Sequence, residues 1–308
     1  DRLLIAGRAV WFYAGKLFWP TELAFIYPRW RIDPTLIGQW LYPLAAVLVL
    51  SVLWWQRSRV GRGPLSAALL FAGTLTPALG FVDIYPMQFS FVADHFQYLA
   101  SIPLLASAAW LIVTRWYATL GGAALLILVG LTWVRGPVFL DNANLWTDTV
   151  AKNPRSPLAL TSLGNELGEL GSHKFAERWH REAIAVDDKF PDAWVNLSVE
   201  LQSQAKFDEA FDAAQQAVRL APWLPRARVN LALGLADRER YDEAVEQLEA
   251  AVATDRRFAA AWVHLARVEL LRNNQPGLHR AVEQLRRLDS RLARDFERGL
   301  LHDDRPSP

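Results

Sequence analysis

The chain has 308 residues and a formal net charge of +1, but its two halves differ in composition. Residues 1–136 contain 10 Lys and Arg, 5 Asp and Glu and 9 of the 14 Trp, whereas the remainder contains 23 basic and 27 acidic residues. Long apolar runs in the first half argue against a soluble globular protein. The basic excess lies between these runs, so no nucleic-acid partner is predicted. Without cysteine, a disulfide framework, a thiol nucleophile and Cys-ligated zinc are excluded.

Five segments of the first half are predicted to be transmembrane helices. A helix needs about 20 mostly apolar residues to cross the ~30 Å hydrocarbon core of a bilayer. The segments are 3–19, 36–55, 64–82, 97–114 and 118–135. The first is the weakest because it contains Arg8 and Lys16. Loops 56–63 and 115–117 carry Arg and no acidic residue, so the positive-inside rule places them in the cytoplasm and everything after residue 136 on the far side.

The second half repeats with a period of 34 residues, the length of a tetratricopeptide unit. Four units are predicted at 157–190, 191–224, 225–258 and 259–292. Small residues such as Ala176, Ala210 and Ala244 recur where paired antiparallel helices approach closely. Residues 141–156 fit a preceding half-repeat, and 293–308 fit a capping end and tail. The predicted fold class is therefore all-α, a transmembrane helix bundle followed by a tetratricopeptide α-solenoid.

A solenoid of such repeats has a concave groove lined by the first helix of each unit. Six residues are predicted to face this groove: Asn165, Asn196, Arg226, Asn230, His264 and Arg267. A side-chain amide both donates and accepts hydrogen bonds, so it can hold a peptide backbone without reading side chains. We therefore predict an extended polypeptide as a partner. The alternative is that the Asn residues cap or bridge neighbouring helices.

Two loops on the far side set carboxylates, Arg or His, and Tyr among aromatic residues at the predicted membrane edge. The candidates are Glu22, Tyr27 and Arg29 in residues 18–31, and Asp94, His95 and Tyr98 in residues 83–99. Desolvation at the membrane edge raises the pKa of a carboxylate, as acid/base or metal roles require, and Arg29 could hold a lipid phosphate. Interfacial anchoring explains the Tyr and Trp residues equally well. No common hydrolase, nucleotide-binding or metalloprotease motif appears, and no metal site is predicted.

The sequence resembles a bacterial family of polytopic membrane proteins with C-terminal tetratricopeptide repeats. That family is similar to the transmembrane and tetratricopeptide-repeat O-mannosyltransferases of the eukaryotic secretory pathway. The resemblance rests on residues 11–20, 25–30 and 91–101, followed by the solenoid, with His95 where relatives often carry Arg. It implies an integral glycosyltransferase of a bacterial inner membrane, in contact with membrane lipid. Such an enzyme uses a polyprenyl-phosphate sugar as donor substrate and holds acceptor polypeptide in an extracytoplasmic solenoid.

The same resemblance implies where the reaction takes place. In that family the catalytic carboxylates lie in the first extracytoplasmic loop, near the N-terminus of the full protein, so we expect them upstream of Asp1. No catalytic residue is therefore predicted in this chain, and the six loop residues are expected to shape the donor or acceptor region. The rival interpretation is a non-catalytic, membrane-anchored scaffold that gathers envelope proteins on its solenoid.

Overall fold

The computed structural model describes residues 1–81, 85–114 and 118–303, and these residues form helices and the turns between them. The chain divides into two compact units, Asp1–Ala159 and Leu160–Pro308. Residues 115–117, which contribute to the predicted membrane orientation, lie outside the described residues, as does Asp83 of the second far-side loop.

The described part of unit 1 contains six α-helices. They are α1 (Arg2–Phe18), α2 (Ile37–Val60), α3 (Gly63–Leu75), α4 (Tyr98–Thr114), α5 (Ala118–Arg135) and α6 (Asn142–Lys152). The first five overlap the five segments predicted to cross a membrane, although α2 continues to Val60 and so includes part of the predicted loop at 56–63. The sixth lies in the predicted half-repeat at 141–156 and groups with unit 1, so the division between the units falls later in the chain than residue 136.

Within the described residues, two helical stretches are long and apolar enough to cross a bilayer. These are Ile37–Val60 and Gly121–Phe139, and neither buries its apolar window inside the chain. Helix α3 is shorter than the predicted span at 64–82, because it ends after 13 residues, or about 20 Å at 1.5 Å per residue. Pro77 lies in the 3₁₀ turn that follows and lacks the N–H that an α-helix would need there. The five-span bundle therefore stays a prediction.

The core of unit 1 forms around α1. Ala9 and Tyr13 of this helix are fully buried and belong to one apolar cluster with Phe71 and Leu75 of α3. The Tyr13 hydroxyl accepts a hydrogen bond from the backbone N–H of Ala93 at 3.1 Å. The apolar face of α1 thus holds together α3 and the loop that precedes α4, which carries Asp94.

Unit 2 is a series of antiparallel helix pairs. Its described helices are α7 (Pro157–Glu169), α8 (His173–Val186), α9 (Pro191–Ser203), α10 (Phe207–Leu220), α11 (Pro225–Ala236), α12 (Tyr241–Thr254), α13 (Ala259–Leu271), α14 (Gln275–Leu288) and α15 (Ser290–Asp303). The first helix of each pair begins at the residue that the sequence predicts for the start of a repeat. Successive pairs are therefore offset by 34 residues, and the tetratricopeptide repeats are confirmed.

The turn inside each helix pair repeats as well. Gly171 has a positive φ of 75°, and φ is 58° to 59° at the three equivalent positions, Ala205, Glu239 and Asn273. The alanines predicted at the close approach of the two helices are buried, with Ala176 and Ala244 fully inaccessible. Backbone geometry and packing thus follow the same period, which places the first helices α9, α11 and α13 side by side in register.

Candidate functional site

Unit 1 contains a pocket of about 820 Å³ between the loop after α1, the turn before α4, the end of α5 and helix α6. Four of the six loop residues predicted to form a site line this pocket: Glu22, Asp94, His95 and Tyr98. The fifth, Tyr27, is buried and donates a hydrogen bond through its hydroxyl to Asp94 Oδ1 at 2.8 Å. The two loops are more than 60 positions apart in the sequence, and the fold brings these five residues together.

Asp94 is the carboxylate whose surroundings are most unusual in this pocket. Burial raises its pKa above the ordinary value, although the Tyr27 hydrogen bond and the charges of Lys16 and Arg135 favour the ionised form. Burial also raises the pKa of Tyr27. The pair therefore keeps its protons to higher pH than exposed groups would. A carboxyl group with a raised pKa can donate a hydrogen bond or a proton to a bound molecule.

Arg29 lies apart from the pocket. Its guanidinium is stacked over the ring of Phe91 at 4.8 Å, and it is not among the residues that line the pocket. The reason is local, because Tyr27 is buried toward Asp94 while Pro28 and Arg29 are exposed. Of the six candidate loop residues, five therefore lie at or beside the pocket, and Arg29 does not.

Helix α6 supplies pocket residues, Asp148 and Lys152, that the sequence pattern does not predict. Asp148 accepts hydrogen bonds from Arg135 at 2.7 Å and from Lys152 at 3.0 Å, while Lys152 also donates to the carbonyl oxygen of Leu23 at 2.7 Å. Burial raises the pKa of Asp148, but the hydrogen bonds from Arg135 and Lys152 outweigh it and hold the pKa below its usual range. The helix thereby fixes the loop that carries Glu22. The 13-residue spacing of Arg135 and Asp148 gives no sequence signal for this pairing.

Two side chains that line the pocket have a buried polar atom with no hydrogen-bond partner among the described residues. Gln97 has an unpaired acceptor, Oε1, and Arg135 has an unpaired donor, Nε. An unpaired buried polar atom costs about 1–3 kcal/mol. A bound molecule that offers both a hydroxyl group and an anionic oxygen would satisfy both atoms.

In unit 2, polar positions that are at least partly exposed recur along the first helices at the 34-residue offset. Asn196 and Asn230 are equivalent, but their contacts differ. Asn230 Nδ2 donates to the carbonyl oxygen of Val195 at 3.1 Å and to Ser198 Oγ at 2.8 Å, so this amide bridges α11 to α9. The side chain of Asn196 makes no hydrogen bond within the residues that the structure describes, and neither does that of Asn165. The bridging alternative thus applies to Asn230, whereas the amides of Asn196 and Asn165 are unpaired among the described residues.

The charged residues predicted in the groove also fall into two groups. Arg226 forms an ion pair with Asp192 of the preceding repeat at 2.7 Å. His264 has a buried Nδ1 without a hydrogen-bond partner among the described residues, and burial together with nearby Arg267 lowers its pKa. Arg267 is exposed and forms no ion pair within the described part of the chain. The groove therefore ends in an unneutralised cation.

Comparison with known proteins identifies no family model and no curated protein that matches the chain, so the resemblance to the O-mannosyltransferases has no support there. Among solved structures the chain is similar to a MamA fragment from Desulfovibrio magneticus RS-1, with 17% identity, a TM-score of 0.42 and coverage of 48% of this chain and 84% of MamA. It is also similar to YrrB, a tetratricopeptide protein, with 17% identity, a TM-score of 0.42 and coverage of 57% of this chain and 89% of YrrB. A third similar structure is the tetratricopeptide protein TTC0263 from Thermus thermophilus. It has 19% identity, a TM-score of 0.46 and coverage of 52% of this chain and 89% of TTC0263.

Proposed function

We propose that the chain is a membrane-anchored scaffold whose tetratricopeptide groove binds an extended polypeptide. The observation that carries the proposal is the row of partly exposed polar positions along α9, α11 and α13, in which the amide of Asn196 has no partner among the described residues. A free amide in a groove can donate to a peptide carbonyl and accept from a peptide N–H. The ion pair between Arg226 and Asp192 and the hydrogen bond from Asn230 to Val195 keep the repeats on either side of Asn196 in register.

The apolar surface of unit 1 supports the membrane anchor. Helix α2 buries none of its residues, and Leu41 and Leu48 each expose 63% of their surface. Exposed apolar area costs roughly 25 cal/mol per Å² in water, a cost that lipid removes. Arg57 and Arg59 in the last turn of α2 indicate its cytoplasmic end. Five crossings by α1 to α5 would put the solenoid on the far side of a bacterial inner membrane.

The groove is tested by Asn196→Ala in the full chain, reconstituted in lipid nanodiscs and screened against a displayed library of random dodecapeptides. Asn196→Ala should lower the affinity for the selected peptides about two- to tenfold, because a hydrogen bond to the peptide backbone is lost and each such bond contributes about 0.5–1.5 kcal/mol. The matched control is Gln215→Ala, an exposed amide on α10. Equal affinities for wild type and Asn196→Ala would contradict the proposal. Asn230→Ala is a poorer test, because it also removes the bridge to α9.

The pocket of unit 1 favours a second function, in which the chain is part of a glycosyltransferase that uses a polyprenyl-phosphate sugar. The observation in its favour is the pair of unpaired atoms in this pocket. Arg135 Nε could donate to a phosphate oxygen, and Gln97 Oε1 could accept from a sugar hydroxyl. Asp94, hydrogen-bonded to Tyr27, could bind a further hydroxyl. The chain's own residues would then position the donor and the acceptor.

This second function predicts a preference for charged lipid. Arg135→Gln should weaken the binding of polyprenyl phosphate to the nanodisc-embedded chain about tenfold, the scale of a charge-assisted hydrogen bond. Uncharged polyprenol should bind wild type less tightly than the phosphate does, and its affinity should be the same for Arg135→Gln. Arg29→Gln is the matched control, since Arg29 lies on Phe91 outside the pocket. If wild type binds the phosphate and the alcohol equally, or if Arg29→Gln has the larger effect, the pocket is not a phosphate site.

A further inference from the structure

A second pocket, of about 370 Å³, lies in unit 2 between helices α12, α13 and α14. None of the six residues predicted to face the peptide groove lines it. Val252 of α12 and Trp262 and Leu265 of α13 form an apolar wall, and the Trp262 ring is fixed by a hydrogen bond from its Nε1 to the carbonyl oxygen of Arg256 at 3.0 Å. This volume is at the small end of the range for ligand pockets, so it suits a molecule of amino-acid size.

The pocket contains a buried charge at a position where the preceding repeats have a core residue. Glu269 is only 4% exposed, and the equivalent residues one and two repeats earlier are the buried Leu235 and Leu201. Burying a carboxylate costs free energy unless it is paired and hydrogen-bonded, whereas burying a leucine is favourable. The fourth repeat therefore needs a partner for Glu269 that the other repeats do not need.

Only one oxygen of the Glu269 carboxylate has a partner among the residues that the structure describes. Oε2 accepts a hydrogen bond from Asn274 Nδ2 at 2.9 Å and lies 3.5 Å from Arg272 Nη1. Oε1 lies beside Gly277, where a Cβ would come within 2.4 Å of it. The preceding repeat has Glu243 at the position of Gly277. A side chain there would displace the carboxylate, so the glycine allows Oε1 to stay in the pocket, where it can accept a hydrogen bond from a ligand.

Three exposed charged side chains, Glu249, Arg256 and Arg280, also line the pocket. None of them forms an ion pair within the described part of the chain. Together with Glu269 the lining has two carboxylates and two guanidinium groups, so it is neutral overall although charges of both signs lack a partner. A ligand that matches this lining carries both signs itself, with an apolar stem against Trp262.

We propose that this pocket binds a small zwitterionic amine, in which an unbranched apolar stem separates a terminal ammonium group from a carboxylate. The ammonium donates to Glu269 Oε1, where the ring of Trp262 also attracts a cation. The stem packs against Trp262 and Leu265, and the carboxylate accepts hydrogen bonds from Arg256 and Arg280. This site is independent of the peptide groove, since it uses none of the groove residues.

The test is calorimetric titration of the nanodisc-embedded full chain with 6-aminohexanoate. Two capped forms serve as comparisons, 6-acetamidohexanoate without the ammonium and 6-aminohexanamide without the carboxylate. Wild type should bind 6-aminohexanoate about tenfold more tightly than either capped form, the scale of one charge-assisted hydrogen bond. Glu269→Gln keeps an acceptor for Asn274 and should weaken 6-aminohexanoate and 6-aminohexanamide about tenfold, but not 6-acetamidohexanoate. Arg256→Gln combined with Arg280→Gln should weaken only the two ligands that carry a carboxylate.

The matched controls are Glu200→Gln, at a buried glutamate on α9, and Arg219→Gln, at an exposed arginine on α10. Both residues lie outside the pocket, so both variants should bind 6-aminohexanoate as wild type does. Glu269→Leu restores the residue of the preceding repeats and should lose the ammonium site with the fold intact, which keeps the test valid if Glu269→Gln unfolds.

Three results would overturn the proposal. Lack of binding at millimolar 6-aminohexanoate, or equal affinities for wild type and Glu269→Gln, would mean that Glu269 only supports Asn274 at the start of α14. If 6-aminohexanamide bound wild type as tightly as 6-aminohexanoate, the pocket would not recognise a carboxylate, and a lysine side chain of a polypeptide would fit it equally well. None of these results bears on the peptide groove.

Discussion

Unit 2 is expected to lose roughly 3 kcal/mol of stability between pH 7 and pH 4 through the protonation of His180 alone. This side chain lies on α8, is fully buried, and has no hydrogen-bond partner for either ring nitrogen among the described residues. Burial lowers its pKa from 6.5 to about 4. The unfolded chain therefore binds the proton first as the pH falls. The contribution of neutral, buried His180 to the free energy of unfolding is fully present above pH 6.5 and is lost progressively as the pH falls to about 4.

The variant that isolates this effect is His180→Leu. Leucine is compatible with the site, because Leu248 occupies the equivalent position two repeats later and is fully buried. Hydrogen exchange of the α7 and α8 amides, corrected for the intrinsic effect of pH, should show a steep loss of protection in wild type and a shallow one in His180→Leu. His279→Leu, at an exposed position on α14, is the control and should behave as wild type. Parallel pH profiles for wild type and His180→Leu would show that His180 does not titrate in this range.

Replacing Gly7 by Ala is expected to destabilise unit 1 by roughly 1–3 kcal/mol, the usual range for overpacking. A Cβ at Gly7 would lie 2.6 Å from the backbone nitrogen of Pro43 in α2, so one of the two helices would have to move. The same contact is supported by a hydrogen bond from Trp11 Nε1 to the carbonyl oxygen of Tyr42 at 2.9 Å. The substitution should therefore separate α1 from α2 and lower the unfolding temperature in detergent.

The control for this prediction lies on the same helix. A Cβ at Gly15 meets no atom within 4 Å, so Gly15→Ala should be neutral or slightly stabilising, since alanine favours the helix by about 1 kcal/mol over glycine. Unfolding temperatures that rise equally in both variants would mean that α1 does not pack against α2 at Gly7.

The solenoid could be predicted because its signal is local and repeated. Each helix pair is specified by its own 34 residues, and the first helices begin at Pro157, Pro191, Pro225 and Ala259 as the sequence indicates. The separate roles of Asn196 and Asn230 could not be predicted. They occupy equivalent positions, and the difference depends on whether a hydroxyl such as that of Ser198 lies within reach on the preceding first helix. Val229, the residue just before Asn230, is buried like Val195, so burial patterns do not separate them either.

In unit 1 the sequence indicates which two loops carry candidate residues, but not which elements contact those loops. Aromatic and polar residues in two loops mark donor- or acceptor-region candidates, and the fold brings Tyr27 of one loop into contact with Asp94 of the other. The sequence does not predict the contribution of α6, because residues 141–156 fit a half-repeat of the solenoid. The hydrogen bond from Lys152 of this helix to the carbonyl oxygen of Leu23 joins residues 129 positions apart. The spacing of apolar residues in the sequence cannot predict such a contact. The transmembrane lengths were also overestimated at α3, where hydropathy continues beyond Leu75 although the helix does not.

The most direct test of a membrane-anchored solenoid is cysteine labelling from the two sides of the membrane, in a chain that has no cysteine of its own. Ser58→Cys reports the arginine-rich end of α2, and Ser203→Cys reports the exposed end of α9. A membrane-impermeant maleimide added to intact spheroplasts should label position 203 and not position 58, and disruption of the membrane should expose both. Labelling of both positions in intact spheroplasts, or of position 58 alone, would contradict the proposed arrangement.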